Sequence, residues 1–294
     1  AAESIAQNVE QRFLEKATDA TYNSAGTPGS NNFTVADVLA GKTTLDRNLA
    51  PRGNRSFLLN SASGADAVDA RKGLFQDSTE IAEQYRMGMV GRADGFDWYE
   101  NELLNTHTNG NDVTGVTKNG ASTEGDSTLA VSGLTATTGT VTKGTVITIA
   151  DVNKVHPITK VSYGVPQQFV VTADATADGS GNATLSISPS LYAGSNGLQN
   201  IDALPANTAA ITFVGTADEA FAQPLQYHKS AFKMVSVPLV MPQNAEFAGQ
   251  ETVDGITVSV VRDWDILQRR MVTSLDFLGG LSAVRPEWAC KLPA

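Results

Sequence analysis

Between Val113 and Gly215 the chain carries five short runs in which apolar residues alternate with small polar ones, at 128–131, 145–149, 168–172, 183–187 and 210–213. A period of two puts every second side chain on the same face, which is the pattern of a half-buried strand. Glycine-rich turns separate the runs. The stretch is rich in Thr, Gly, Asn, Ala and Val, and its only aromatic residues are Phe169, Phe213, Tyr163 and Tyr192. Several short strands at close spacing, with turn chemistry between them, predict a small antiparallel barrel or sandwich over 113–216. Whatever the rest of the chain does must be arranged around this block.

The flanks have a different texture. Residues 2–17 place Ile5, Val9, Phe13 and Ala17 on one face at helical spacing, with Glu3, Gln7, Glu10 and Glu15 elsewhere. No capping residue and no Met precede that helix, which leads us to expect the second half of a longer one. Residues 22–32 read as a loop. Thr34 or Asn32 can cap a helix that stops at Gly41, followed by a short helix over 44–49. A turn at 51–54, a strand at 55–60, helices at 63–74 and 79–87 (the latter capped by Ser78) and a strand at 95–100 complete a mixed pattern.

In the tail, Ile256, Val258 and Val260 alternate with polar neighbours. Asp263, Trp264 and Asp265 read as a turn and 268–278 as the return strand. Gly279 and Gly280 read as a kink, and 283–288 as a last short strand. Two strands and a charged turn are not stable alone, so this tail must close a sheet begun elsewhere or pair with a neighbouring molecule.

Charge and composition exclude several classes. The 294 residues carry a formal net charge of −10, with 18% charged and 41% hydrophobic residues, a globular balance. An acidic chain offers no phosphate-neutralising footprint, which argues against sequence-specific nucleic-acid binding. No apolar run approaches the length of a bilayer span, so no membrane is expected. Cys290 reads as a small apolar strand residue rather than a reactive thiol. His107, His156 and His228 lack a nucleophile motif around them. Asp174, Thr176, Asp178 and Gly179 have the opening spacing of a calcium loop, but Leu185 stands where the closing carboxylate belongs, so a hairpin turn is preferred. Glu100, Glu102 and His107 could be drawn together as a metal set, and a solvated rim is preferred for them too. We therefore expect no catalytic residues, cofactor or metal.

Interface chemistry is better represented. Arginine is favoured where surfaces meet, because its planar fork pairs bidentately with carboxylates. Arg52, Arg55, Arg86, Arg92, Arg262, Arg269, Arg270 and Arg285 are available for this. The expected contacts between subunits are Ile5, Val9, Phe13, Arg52, Arg55, Arg262, Asp263, Trp264, Arg269 and Arg285.

Several segments carry a resemblance in a consistent order. They are LDRNLAPRGNRSFLLN at 45–60, KGLF at 72–75, GRADGFDWYEN at 91–101, THT at 106–108, QYHKSAFKMVSVPL at 226–239 and the tail ending in VRPEW. Together they resemble the coat proteins of tailed double-stranded DNA phages with the Hong Kong ninety-seven fold, in the Lederbergvirus-type branch that carries an inserted β-domain. The resemblance implies an α+β fold. It would comprise the end of a spine helix (1–20), an axial domain (21–112 and 217–250), an inserted β-domain (113–216) and peripheral strands (251–294). It implies a major capsid protein that self-assembles as hexamers and pentamers into an icosahedral shell. Scaffolding protein and portal would be partners, and double-stranded DNA would be enclosed non-specifically. Assembly would take place in the host bacterial cytoplasm and the product would sit in the virion capsid. The alternatives are a β-rich module on an α/β base, binding host glycans or decorating a particle, and an unrecognised hydrolase.

Overall fold

The computed structural model describes residues 2–29, 34–70, 91–194, 197–253 and 256–293. The KGLF segment, the helix expected over 79–87, the end of the one expected over 63–74, Asn32 and Arg86 lie outside the described residues. The fold is mixed, with few helices and many strands.

A five-stranded sheet forms the base. Its order is Arg92–Ala93, Phe96–Glu100, Arg55–Leu59, Leu225–His228 and Ala289–Lys291. Arg55–Leu59 runs parallel to Phe96–Glu100 and antiparallel to Leu225–His228. The strand alternation divides its apolar residues between two faces. Phe57 and Leu59 join Phe96, Trp98, Cys290 and Leu292 on one side, with Phe57 and Trp98 edge-to-face at 4.5 Å. Leu58 packs with Leu14 and Leu104 on the other.

Helix α1 (Ala2–Ala20) covers that second side, and Ala17 packs with Leu225, Phe232 and Ala289. Helix α2 (Val35–Arg47) covers the first with Val38, Gly41 and Leu45 buried. Thr34 caps α2 reciprocally with Asp37, as the sequence suggested. Gly41, however, is not a stop, and the two helices expected over this region are one. A Cβ on Gly41 would lie 2.3 Å from Gln226 Oε1, so the glycine sits where the helix passes close to the sheet. Helix α3 (Ser61–Ala70) follows the first strand, with Glu102 accepting from the Ser61 N–H.

Residues 113–213 build a second core that shares no buried member with the base. Six antiparallel strands run in the order Ile211–Phe213, Val146–Val155, Ser162–Val171, Asn182–Ser188, Thr128–Ser132 and Thr117–Lys118. The two ends meet. Thr117 bridges Ala210, Lys118 N–H donates to Ala209 O at 2.9 Å, and Ile211 N–H donates to Val116 O at 3.0 Å. The sheet is thus a closed barrel, which leaves no free edge. Thr106–Thr108 and Ala220–Ala222 pair antiparallel beneath it, so the chain leaves and returns at one place.

The tail differs from its sequence reading in three ways. Asp263, Trp264 and Asp265 are not the turn. They end the strand Ile256–Asp265, paired to Val272, Met271 and Arg270. The turn is 266–269, because Asp265 Oδ1 accepts from the N–H groups of Leu267 and Gln268 at 2.9 and 3.2 Å. Gly279 and Gly280 do not kink the chain but belong to a strand, Gly279–Ala283, paired with Phe232–Ser236. The last strand is Ala289–Lys291, not 283–288. Pro286 starts a single 3-10 turn, and Trp288 is anchored by its indole N–H on Asn48 O at 3.1 Å. The three-stranded sheet Phe247–Val253, Ile256–Asp265 and Arg270–Phe277 faces α1 with Ile256, Val258 and Phe277.

Candidate assembly surfaces and a polar junction

The apolar face of α1 is only half covered. Ile5, Val9 and Phe13 are each half-buried and line a groove of about 560 Å³ against Met234, Phe277 and Leu281. Ile256 and Val258 line its continuation of about 480 Å³, which is almost wholly apolar. Arg12 and Lys16 border the first part. The sequence located this face but could not show that the tail strands form its opposite wall.

The other expected contact residues separate. Arg262, Asp263 and Trp264 are exposed near the tip of the long hairpin, and Arg269 lies in its turn at φ 52°. Ile266 and Leu267, which the sequence reading did not single out, are 79% and 94% exposed there. Arg52 is exposed in the turn before the first base strand. The Arg285 guanidinium stacks over Trp288, 4.3 Å from the ring centroid, so part of its chemistry is used within the chain. Arg55 is engaged within the chain. It is 2% exposed, and its fork is spent on Asp46 Oδ1 at 2.7 Å and on the carbonyls of Ala50 and Pro51 at 2.6 and 2.8 Å. It ties α2 to the first strand.

Where the barrel meets the base, titratable groups cluster. Lys291, 1% exposed, donates to Gly144 O at 2.9 Å. Lys143 pairs with Asp19 of α1 at 2.6 Å. His107 stands against Phe221, its Nε2 3.2 Å from both Asn109 Oδ1 and Thr145 Oγ1. Burial, and then the nearby Lys291 charge, push the His107 pKa down to about 4, so the ring is neutral at pH 7. Burial likewise lowers Lys291 to about 8, with Asp19 opposing. The sequence signal for Lys291 was its position inside an otherwise apolar strand, ACKL, and it went unread.

The remaining candidates are accounted for locally. Cys290 is fully buried and its thiol is pushed up to about 12, which removes it from thiolate chemistry. Asp178 accepts from the N–H groups of Ser180 and Asn182, closing a hairpin turn. His156 Nδ1 accepts from the N–H groups of Ile158 and Thr159. Glu102 is drawn to Ser61 while His107 lies under the barrel, so these two do not converge. Among the described residues no group of three His, Cys, Asp or Glu could hold a metal ion, and no helix is long and apolar enough to cross a membrane.

The exposed apolar grooves and hairpin tips belong to a structural subunit, a protein whose chemistry is contact between chains. The family model described as "P22 coat protein - gene protein 5" matches residues 1–292, and the chain belongs to that family. Its role is that of a bacteriophage major capsid protein, which self-assembles into the capsid of the virion. A solved structure, the CUS-3 coat protein I-domain, is 28% identical, with 34% of this chain and 96% of that one covered at a TM-score of 0.24. No curated protein matches the chain.

Proposed function

We propose that the subunit is organised as a Hong Kong ninety-seven-type capsid protein. Helix α1 would be the end of the spine helix, 21–112 and 217–250 the axial domain, 251–294 the peripheral strands, and 113–216 an inserted β-domain. The observation that carries this reading is topological. Arg55–Leu59 and Leu225–His228 are direct neighbours in one sheet, although the whole barrel, with its own core, lies between them in sequence. An insertion at one point of an existing domain would give that connectivity, and the pairing of Thr106–Thr108 with Ala220–Ala222 supports this reading.

In this reading copies meet as hexamers and pentamers through heterologous surfaces that close by symmetry. Scaffolding protein directs closure in the host cytoplasm, a portal occupies one vertex, and double-stranded DNA is enclosed without base readout, in keeping with the charge of −10. Cryo-electron microscopy of particles from cells expressing this coat protein with its scaffold tests it. The expected result is icosahedral shells with the barrel protruding from each subunit. Soluble monomers alone, or shells whose subunits place 113–216 in the continuous wall, would overturn it.

A further inference from the structure

The chain is acidic as a whole, with 21 basic against 31 acidic residues, but one end of the base sheet reverses that balance. Arg55–Leu59 and Phe96–Glu100 run parallel, so the turns before them, at 51–54 and 94–95, lie at the same end of the sheet. Helix α2 contributes Lys42 and Asp46, which are four residues apart and so share a face. Lys42, Asp46, Arg52, Arg55 and Gly95 line a cavity of about 360 Å³. Three cations thus border it with one carboxylate.

That carboxylate is already committed. Asp46 Oδ1 accepts from Arg55 Nη2 at 2.7 Å. Nε and Nη2 of Arg55 also donate to the carbonyls of Pro51 and Ala50. Its third nitrogen, Nη1, has no acceptor among the described residues, although Arg55 is only 2% exposed. A charged donor so nearly buried has lost water, and only a ligand can supply the missing acceptor. Lys42 and Arg52 form no ion pair among the described residues either. Lys42 Nζ stands over the turn, 3.8 Å from where a Cβ on Gly95 would lie. Gly95 has φ 87°, a left-handed conformation that suits glycine, so this wall is bare backbone. Asp94 precedes Gly95 but does not line the cavity.

We propose that this cavity is an oxyanion site that takes one doubly charged ion of phosphate size. Arg55 Nη1 and the Arg52 fork would donate to its oxygens, a geometry that guanidinium groups suit, and Lys42 would add a point charge from the helix side. The excess of two positive charges around the cavity matches a dianion. Its occupant would tie α2 to the two turns at this end of the sheet. The site is complete within one subunit, so the inference goes beyond the shell architecture proposed above and does not depend on it.

The test uses the purified subunit before assembly. Its thermal midpoint is read in potassium phosphate and in potassium chloride at matched ionic strength. Phosphate and sulfate also stabilise folded chains by exclusion, so the diagnostic quantity is the part of the shift that belongs to the site. At about ten times the dissociation constant the site should add roughly 3–6 °C. The double variant Lys42→Gln/Arg52→Gln should leave the midpoint in chloride unchanged and should remove that part. Lys229→Gln should keep it, since Lys229 is exposed and bonded through its N–H to Asn54 O in the same turn, yet does not line the cavity. Sulfate should act like phosphate, and singly charged acetate less. The inference is overturned if phosphate shifts the parent and the double variant equally, or if Lys229→Gln loses the shift as fully, because the effect then belongs to general surface charge. Acetate acting as strongly as phosphate would overturn the assignment to a dianion. An oligothymidylate that raises the midpoint at a lower phosphate concentration than inorganic phosphate would overturn it too, because the ligand would then be a nucleic-acid backbone. Whether the subunits go on to form shells bears on the proposed function alone.

Discussion

Excising residues 113–216 should give a domain that folds alone, and the ties it would lose set the expected cost. The barrel core contains no residue of the base cores. Most of what crosses the boundary is polar. It includes Lys291 on Gly144 O, Lys143 on Asp19, His107 Nε2 with Thr145 Oγ1 at 3.2 Å, Thr142 Oγ1 on Thr108 O at 2.8 Å, two bonds between Ser24 and Gln168 at 2.8 Å each, and Tyr163 Oη on Arg47 O at 3.3 Å, while Val146 and Val214 line one small cavity with Phe221. The neutral bonds contribute about 1 kcal/mol net each, the charged Lys291 bond roughly 1.5–3 kcal/mol, and a partly exposed pair such as Lys143–Asp19 no more than about 1 kcal/mol. A domain of this size has a stability of roughly 5–15 kcal/mol, most of it from its own core. Excision also removes Asn109, whose amide donates to the carbonyls of Val214 and Thr216 at 3.0 Å and holds the two ends together. The isolated segment should therefore be somewhat less stable than in the whole chain, yet still melt cooperatively. Phe169, 0% exposed, is the internal control. Phe169→Ala should cost about 3–5 kcal/mol, which in a domain of this size lowers the midpoint by at least about 12 °C. Thermal scans by circular dichroism on both forms read this directly. A segment without a cooperative transition would refute the reasoning, as would a Phe169→Ala midpoint equal to that of the parent.

Three further outcomes follow from single residues. Asp46→Ala strands the nearly buried Arg55 on two carbonyls; because Asp46 is itself a third exposed, we expect a loss of about 2 kcal/mol in denaturant unfolding, with m unchanged. Gly41→Ala, which would help an open helix by up to about 1 kcal/mol, should here destabilise by about 1–3 kcal/mol, since its Cβ meets the buried Gln226 amide; a higher melting temperature would contradict this close approach. His107 is neutral in the fold down to about pH 4, whereas in the unfolded chain it protonates near 6.5, so its contribution is complete above 6.5 and is lost as pH falls toward 4, by at most about 3 kcal/mol; a stability–pH curve for His107→Gln should be flatter than the parent's between those values.

How much of this was legible follows from what each signal measures. Alternation reports burial on one face, and all five runs between 113 and 215 became strands because their apolar residues line one core. Alternation does not report partners, so closure through Thr117 and Ala210 left no trace in the sequence. Turn chemistry was read correctly in kind and misplaced in position. Asp263 and Asp265 both suit a turn, but Asp263 Oδ1 takes only the adjacent N–H of Trp264, whereas Asp265 Oδ1 takes those of Leu267 and Gln268 across the turn. Gly41 misled for the same reason, since a glycine needed for close approach and one needed at a helix end look alike. At the candidate surfaces, the α1 face was visible from spacing, while its opposite wall comes from residues more than 200 positions away. Arg55 shows the limit of composition, because an arginine's side-chain type says nothing about whether the fold has already used its fork.

The boundary between barrel and base explains why a nearly inaccessible lysine is tolerated. A smooth apolar contact would hold the two cores together but would fix their relative rotation poorly, because hydrophobic attraction is non-directional. Gly144, at φ 90°, lets the barrel backbone come close enough that a Cβ there would lie 2.9 Å from Asp19 Oδ1 and 3.3 Å from His107 Nδ1. At that distance the Gly144 carbonyl receives Lys291, and the next residue back, Lys143, reaches Asp19. Burying Lys291 costs enough to lower its pKa to about 8, yet at pH 7 it keeps its proton and its bond. Directional bonds of this kind trade stability for geometry. For a subunit that must present the same surfaces in every copy of a shell, a fixed angle between barrel and base is worth more than the stability that an apolar residue at 291 would add.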